Sequence, residues 1–307
     1  MTTTKELTEK LASLVGDVPD VTEVVELAAL RPEEVLRRNE KVLADLARTA
    51  EISLEVDKGG ERLKERTVYR GEDGGRAVTF HASGAFTLLS GADPLDDLFA
   101  EVAPDDVLRK AVDSVADQLG LTGFVDKEDT LAFERLWKLK AAGADREGKL
   151  SDPVLTRAVG AYRQSVRDLP VLGRSSASVE VTGSGRLSQL TVTLRRFAGD
   201  GGGSTLEKAR SRKPDEAAAD VAARLSRLLG GQEEDVVLDA QSFAFGYLSL
   251  GRRRAQALLA PMYVAAVTVD GGPERERSAH VIAVTGSEQQ YLKLPTGVRP
   301  TATPRVA

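Results

Sequence analysis

The sequence predicts an α+β fold in which helices are followed by antiparallel strands. Two observations carry this expectation: apolar spacing switches repeatedly between a helical period and strict alternation, and short apolar runs are joined by glycine and serine breaks of the β-hairpin kind. A third is that the helix-then-strands order recurs near residues 33–90, 152–197 and 215–294. No fixed period accompanies it, so the chain reads as a degenerate duplication of one α+β unit and not as a solenoid.

The elements follow in order. Leu7, Leu11 and Leu14 recur at helical spacing from Thr4 to Leu14, and a second such run covers Val21 to Leu30. Arg31-Pro32-Glu33-Glu34 opens a third helix, with proline in the first turn and carboxylates at the positive end of the dipole. After Ala50 the period falls to two, with Ile52, Leu54 and Val56 alternating with polar residues. ERLKERTVYR is a less regular strand, and RAVTFHASGAFTLLSG is a hairpin around Ser83-Gly84, so residues 51–90 read as a four-stranded meander. Asp93 to Gly120 returns to helical period and stops at Gly120. Period alone leaves residues 129–150 open between strand and helix.

Ser151-Asp152-Pro153 caps an expected helix to about Arg167 that places Leu155, Val159 and Tyr162 inward. A turn at Leu169–Gly173 then leads to the hairpin SASVEVT/RLSQLTVTLRR through Gly183-Ser184-Gly185. GDGGGST marks a loop, Pro214 opens a helix that ends at a glycine pair, and four strands follow: VVLDAQSFAFGYLSL, ALLAPMYVAAVTV, SAHVIAVTG and QYLKL. The end, PTGVRPTATPRVA, reads as a frayed tail.

Composition excludes much familiar chemistry. The 307 residues are 41% hydrophobic and 29% charged, which is globular and sufficient for two domains or three small ones. There is no cysteine, which removes disulfides, thiolate nucleophiles and thiolate metal sites. The two histidines, His81 and His280, are too few for a three-histidine zinc site, so neither metal nor cofactor is expected. Residues 1–150 carry 21 Lys and Arg against 31 Asp and Glu, a net −10, whereas the remainder is +5. A pI near 5.4 argues against nucleic acid as partner. The first residues hold no apolar signal core and no 18-residue apolar run occurs anywhere, so a cytoplasmic chain without a membrane span is expected.

Individual residues offer little catalysis. GDGGGSTLEK lacks the spacing of either phosphate-binding glycine motif. His81 and His280 lie in apolar strands, where a partly buried, hydrogen-bonded role is the simpler one. No pair of carboxylates stands out as acid and base, and Trp137 with Phe133 and Leu139 reads as core. Arg252, Arg253 and Arg254 form a compact basic cluster between two strands, able to hold a carboxylate or phosphate through forked donors, or simply to be a solvated tip.

One stretch carries a family resemblance. AYRQSVRDLPVLGRSSASVEVTGSGRLSQLTVTLRRF, residues 161–197, resembles a PepSY or fungalysin/thermolysin-propeptide unit: Tyr162 on a helix, a turn with Leu169, Pro170, Val171 and Gly173, then a hairpin. The segment after Pro214 resembles a second copy, with Leu259, Pro261 and Tyr263 matching that family's strand pattern. The resemblance covers roughly residues 150–290 and, together with the pattern of the rest, divides the chain into an N-terminal helical and meander region (1–125), a PepSY-like unit (126–198), a flexible loop (199–213), a second PepSY-like unit (214–295) and a tail (296–307). The resemblance implies a non-catalytic module that binds, inhibits or assembles with another protein, and the −10 charge of the N-terminal half makes a second copy one candidate partner for the three arginines. The alternative is an enzyme or small-molecule binder with an apolar cavity between helix and curved sheet, acting on a hydrophobic metabolite.

Overall fold

The computed structural model describes residues 4–93, 95–99, 103–173, 176–199, 203–230, 236–271 and 277–294. Four helices are present among them: α1 (Thr4–Leu14), α2 (Pro32–Thr49), α3 (Asp105–Gln118) and α4 (Pro214–Leu229). The strands are β1 (Val21–Glu26), β2 (Glu61–Arg62), β3 (Arg66–Arg70), β4 (Arg76–Phe80), β5 (Phe86–Leu89), β6 (Asp129–Ala141), β7 (Val154–Val166) and β8 (Leu169–Gly173). They continue with β9 (Ser176–Val181), β10 (Leu187–Val192), β11 (Thr205–Arg210), β12 (Val237–Ser249), β13 (Leu258–Leu259), β14 (Pro261–Asp270) and β15 (Ser278–Thr285). The α+β class is therefore as expected. The chain divides into two compact units that interleave in sequence, one of residues 27–202 with 249–257 and the other of 1–26, 203–248 and 258–307. This division differs from the consecutive segments that the resemblance implies.

In the first of these units, antiparallel strands run in the order β6-β7-β9-β10-β5-β4-β3-β2, with β8 beside the end of β7. One sheet face is buried under α2 and α3, where Leu43, Leu46, Leu108, Val112, Phe86, Leu88, Val179 and Leu190 form the core. Each such side chain contributes about 1.5–3 kcal/mol by leaving water. α2 starts as its sequence requires, with Pro32 in the first turn and the Arg31 N–H donating to the Glu34 carboxylate at 3.1 Å. It is tied to the β4–β5 turn by fully buried Asn39, whose amide donates to the Gly84 carbonyl at 3.0 Å. α3 approaches β7 at Gly160, where a Cβ would lie 2.3 Å from Val112 Cγ1.

Sequence and structure differ here in four places. The helix expected over 152–167 is strand β7. Paired with β6 on one side and with β9 and β8 on the other, it is buried at most positions on both faces, so its apolar residues lose the alternation of a half-buried strand. The turn is not Leu169–Gly173, which is β8, but Arg167-Asp168, both with positive φ (49° and 66°) as a two-residue hairpin turn requires. Residues 52–56 form no strand, and the four-stranded meander is β2–β5. The helix expected from Asp93 begins only after Pro104, which lacks the N–H a helix interior needs; Leu95 and Val107, expected on its buried face, are exposed.

In the second unit, β11-β1-β13 and β12-β14-β15 form two antiparallel three-stranded groups, and α4 packs against α1 and β15. The helix expected at Val21–Leu30 is β1 over its first six residues, where adjacent Val24 and Val25 are both fully buried. The loop expected over 199–213 contains β11, and QYLKL forms no strand. Asp200, Gly201, Gly202 and the tail lie outside the described residues. α4 ends as expected, with Gly230 in the left-handed region at φ 64°.

Candidate functional site

α3 buries Leu108, Val112, Val115 and Ala116 against the sheet, and the neighbouring stripe carries Arg109, Asp113 and Asp117 at successive i, i+4 positions. Facing this stripe are Leu131 and Phe133 of β6 and Tyr162 of β7. Phe133 and Tyr162 are directly opposed in the ladder, and their rings meet edge to face at 5.8 Å. A 3₁₀ turn, Leu121–Phe124, closes one end with Leu121 and Thr122. The result is a half-open groove of about 230 Å³ with an apolar floor, two aromatic rings and two carboxylates.

Its polar groups are ordered. The Tyr162 hydroxyl donates to Asp113 Oδ1 at 2.7 Å, and Arg109 Nε donates to Oδ2 at 3.3 Å. The Arg109 guanidinium lies 4.3 Å from the Phe133 ring centroid, a cation–π contact. Burial, then the bond to the Asp113 carboxylate, push the Tyr162 phenol far above its ordinary value, so it acts as a neutral donor and not as a base. Asp117 is exposed at the mouth. Of these residues only Tyr162 and Phe133 were singled out from sequence. The signal that could have found the others is the like-charged pair Asp113/Asp117, since such i, i+4 pairs weaken a helix.

The distal half of the β6–β7 hairpin is a second feature. Trp137, Leu139, Leu150 and Val154 are 44%, 43%, 59% and 44% exposed, so the core role expected for Trp137 and Leu139 is not what the structure shows. The reason is parity. Gly160 faces α3, its opposed Leu136 shares that side, and Lys138 pairs with Asp105 on α3; Trp137 and Leu139 therefore stand on the other sheet face. Along the outer edge of the 13-residue β6, no strand pairs among the described residues of this unit.

Buried charge elsewhere in this unit is structural. Arg157, 3% exposed, donates to the carbonyls of Asp93, Asp96 and Thr156 and fixes the loop before α3. Arg196 bonds Asp126 at 3.0 Å and lies 3.2 Å from Asp129, but that second contact is misaligned for a hydrogen bond. Burial accordingly pushes the Asp129 carboxyl up to about 6, despite Arg196.

The remaining residues singled out from sequence do not converge on one site. Arg252 lies over the Phe80 ring at 4.5 Å, Arg253 pairs with Glu65 at 3.7 Å, and the exposed Arg254 gives its carbonyl to Arg195. Arg195 also bonds Ser249 and Gly251, so it anchors the turn on which the three arginines sit; burial lowers it to about 10. Val171 is fully buried in β8, with Leu169 and Pro170 half-buried and Gly173 exposed at φ 85°. In the other unit, Pro261 pairs with Tyr247, and Tyr263, stacked on Phe243 and in tilted contact with Phe245, donates to the Arg212 carbonyl at 2.7 Å. His81 Nε2 is 2.9 Å from the Thr67 hydroxyl, and buried His280 is 3.0 Å from that of Ser278. Among the described residues, no group of three or more His, Cys, Asp or Glu is placed to hold a metal ion, and no helix is long and apolar enough to cross a membrane.

No protein-family model matches the chain, and no curated protein matches it. Among solved structures the chain is similar to an uncharacterized protein from Eubacterium rectale ATCC 33656, at 8% identity and a TM-score of 0.56, over 92% of this chain and 89% of that one. This likeness is one of fold alone.

Proposed function

We propose that the protein is a non-enzymatic binding or assembly module, acting in the cytoplasm without cofactor or nucleic acid, that takes a protein partner along strand β6. The observation that carries the reading is the outer edge of β6, 13 residues long and unpaired among the described residues of its unit, with Trp137 and Leu139 exposed beside it. An extended segment can complete such an edge through backbone hydrogen bonds, with side-chain contacts supplying specificity. Two other edges are protected. β2 has two residues, both charged, and on β15 the carbonyls of Ala283 and Thr285 accept from Arg224 and Arg212.

Charge narrows the partner. From residue 135 to 141, β6 carries Arg135, Lys138 and Lys140 and no acid, whereas the groove beside its proximal half carries Asp113 and Asp117. A fitting segment is acidic opposite the distal half. A second copy paired antiparallel about the distal half of the strand would bring Arg135, Lys138 and Lys140 of both copies together, which favours a different protein over self-association there. The PepSY-like reading draws support from α4 followed by β12, β14 and β15, and none from residues 126–198, which begin with strands. The alternative of a metabolite enzyme is less well supported: the groove is smaller than the roughly 300–1,000 Å³ of typical small-molecule sites, and Tyr162 is held protonated.

The test compares wild type with the Trp137→Ala/Leu139→Ser double variant as bait in native lysate, with quantitative mass spectrometry. Both side chains are exposed, so the variant should stay within about 1 kcal/mol of wild-type stability. A protein enriched on wild type and lost on the variant is the expected result; identical profiles contradict the reading. Sedimentation at low and high salt separates a second copy from a different partner.

A further inference from the structure

We propose that the groove between α3, the 3₁₀ turn and the β6–β7 pair is a socket for one lysine side chain of the partner protein. The inference rests on the protein-partner reading and names the chemistry of one contact within it. The groove's size suits a single side chain, and its lining divides into two parts. Ala116, Leu121 and Leu131 offer an apolar bed for an aliphatic stem, and Asp113 and Asp117, one helical turn apart, flank the place where its charged head would sit.

Local charge favours a single cation. Asp113 and Asp117 contribute two negative charges and Arg109 one positive, which leaves an excess of one negative charge. At Asp113 the geometry favours an ammonium over a guanidinium. Tyr162 occupies Asp113 Oδ1 and Arg109 occupies Oδ2, so no clear carboxylate edge remains on Asp113 for a bidentate fork. Each carboxylate oxygen can still accept a further hydrogen bond, and an ammonium has three rotatable donors to share between Asp113 and Asp117. Phe133 and Tyr162 add aromatic surface against the stem. Tyr162 is a positioning residue: its hydroxyl holds the Asp113 carboxylate in place.

Titration of the full chain with three probes tests the socket: Nα-acetyl-lysine methylamide, the matching norleucine derivative, which keeps the stem but lacks the charge, and n-butylamine, which lacks the peptide backbone. The readout is amide chemical shifts. The lysine probe should produce saturable shifts at Ala116, Leu121 and Phe133 in the millimolar range, and norleucine should bind about tenfold more weakly or worse. Asp117→Asn, at an exposed position, should fold normally and lose about tenfold in lysine affinity. Lysine and norleucine bound equally, unchanged affinity in Asp117→Asn, or no shift at these residues would overturn the proposal. Binding of butylamine with exclusion of the blocked lysine would overturn it as well, since the groove would then admit a free amine and not a protein side chain. A bound lysine together with an unchanged capture profile for the Trp137/Leu139 variant would separate failure of the β6 reading from failure of the socket.

Discussion

Val171 has no solvent contact, and its carbonyl accepts from Arg163 at 3.1 Å. Val171→Asp would place an unpaired charge in this environment and should destabilise by about 3–5 kcal/mol, a fall in melting temperature of about 10 °C. A melting temperature unchanged from wild type would mean that β8 is not held in the core. Asp129 gives the pH counterpart. Its folded value, raised by burial to about 6, lies above the unfolded value of 3.8, so the folded state binds the proton more tightly. Its contribution is therefore fully present below about 4 and is lost as pH rises through 6. Asp129→Asn should flatten the stability profile between about pH 4 and 6, read by denaturant unfolding at each pH; an unaltered slope would assign that window to other groups. At this scale the sequence exposed Tyr162 but not its setting. Asp113 and Asp117 come from α3, Phe133 from β6 and Tyr162 from β7, and spacing along the chain does not record how distant segments meet.

Helices were the legible elements. Proline in the first turn with carboxylates beside it marked α2 and α4, and glycine marked the end of α4, because these residues act on their own local backbone. The strands that were misread share one cause. β1 and β7 are buried on both faces, so Val24-Val25 and residues 155–158 are consecutive buried positions and the period of two disappears. Such strands announce themselves only through their partners. The contact of α3 with β7 can be tested directly. Gly160→Ala would put a methyl 2.3 Å from Val112 Cγ1, and the stiff β-branched valine cannot swing away, so about 1–3 kcal/mol of stability should be lost. Gly143→Ala, in the β6–β7 connection with its nearest neighbour at 3.8 Å, should be close to neutral. Equal effects in thermal unfolding would mean that α3 does not press on β7.

Across the whole chain, the interleaving of two units was the least legible property. β1 pairs with β11 about 180 residues later, and no local pattern encodes a pairing at that distance. The −10 and +5 halves do not coincide with these units, so the charge contrast read from sequence is not a contrast between them. The three arginines follow the same lesson, since Arg195 and the carbonyls of residues 251 and 254 hold their turn whatever side chains it bears. Arg252→Ala/Arg253→Ala/Arg254→Ala should therefore cost only about 1 kcal/mol, mostly from the Phe80 stack. A larger loss in thermal unfolding would make the side chains structural. Hydrogen exchange of the protein alone and with its captured partner tests the binding account most directly. Those backbone amides of residues 129–141 that point away from β7 should exchange quickly when the protein is alone and become protected in the complex, more than the outward amides of any other strand. Protection confined to other segments, with β6 exchanging as in the free protein, would contradict it.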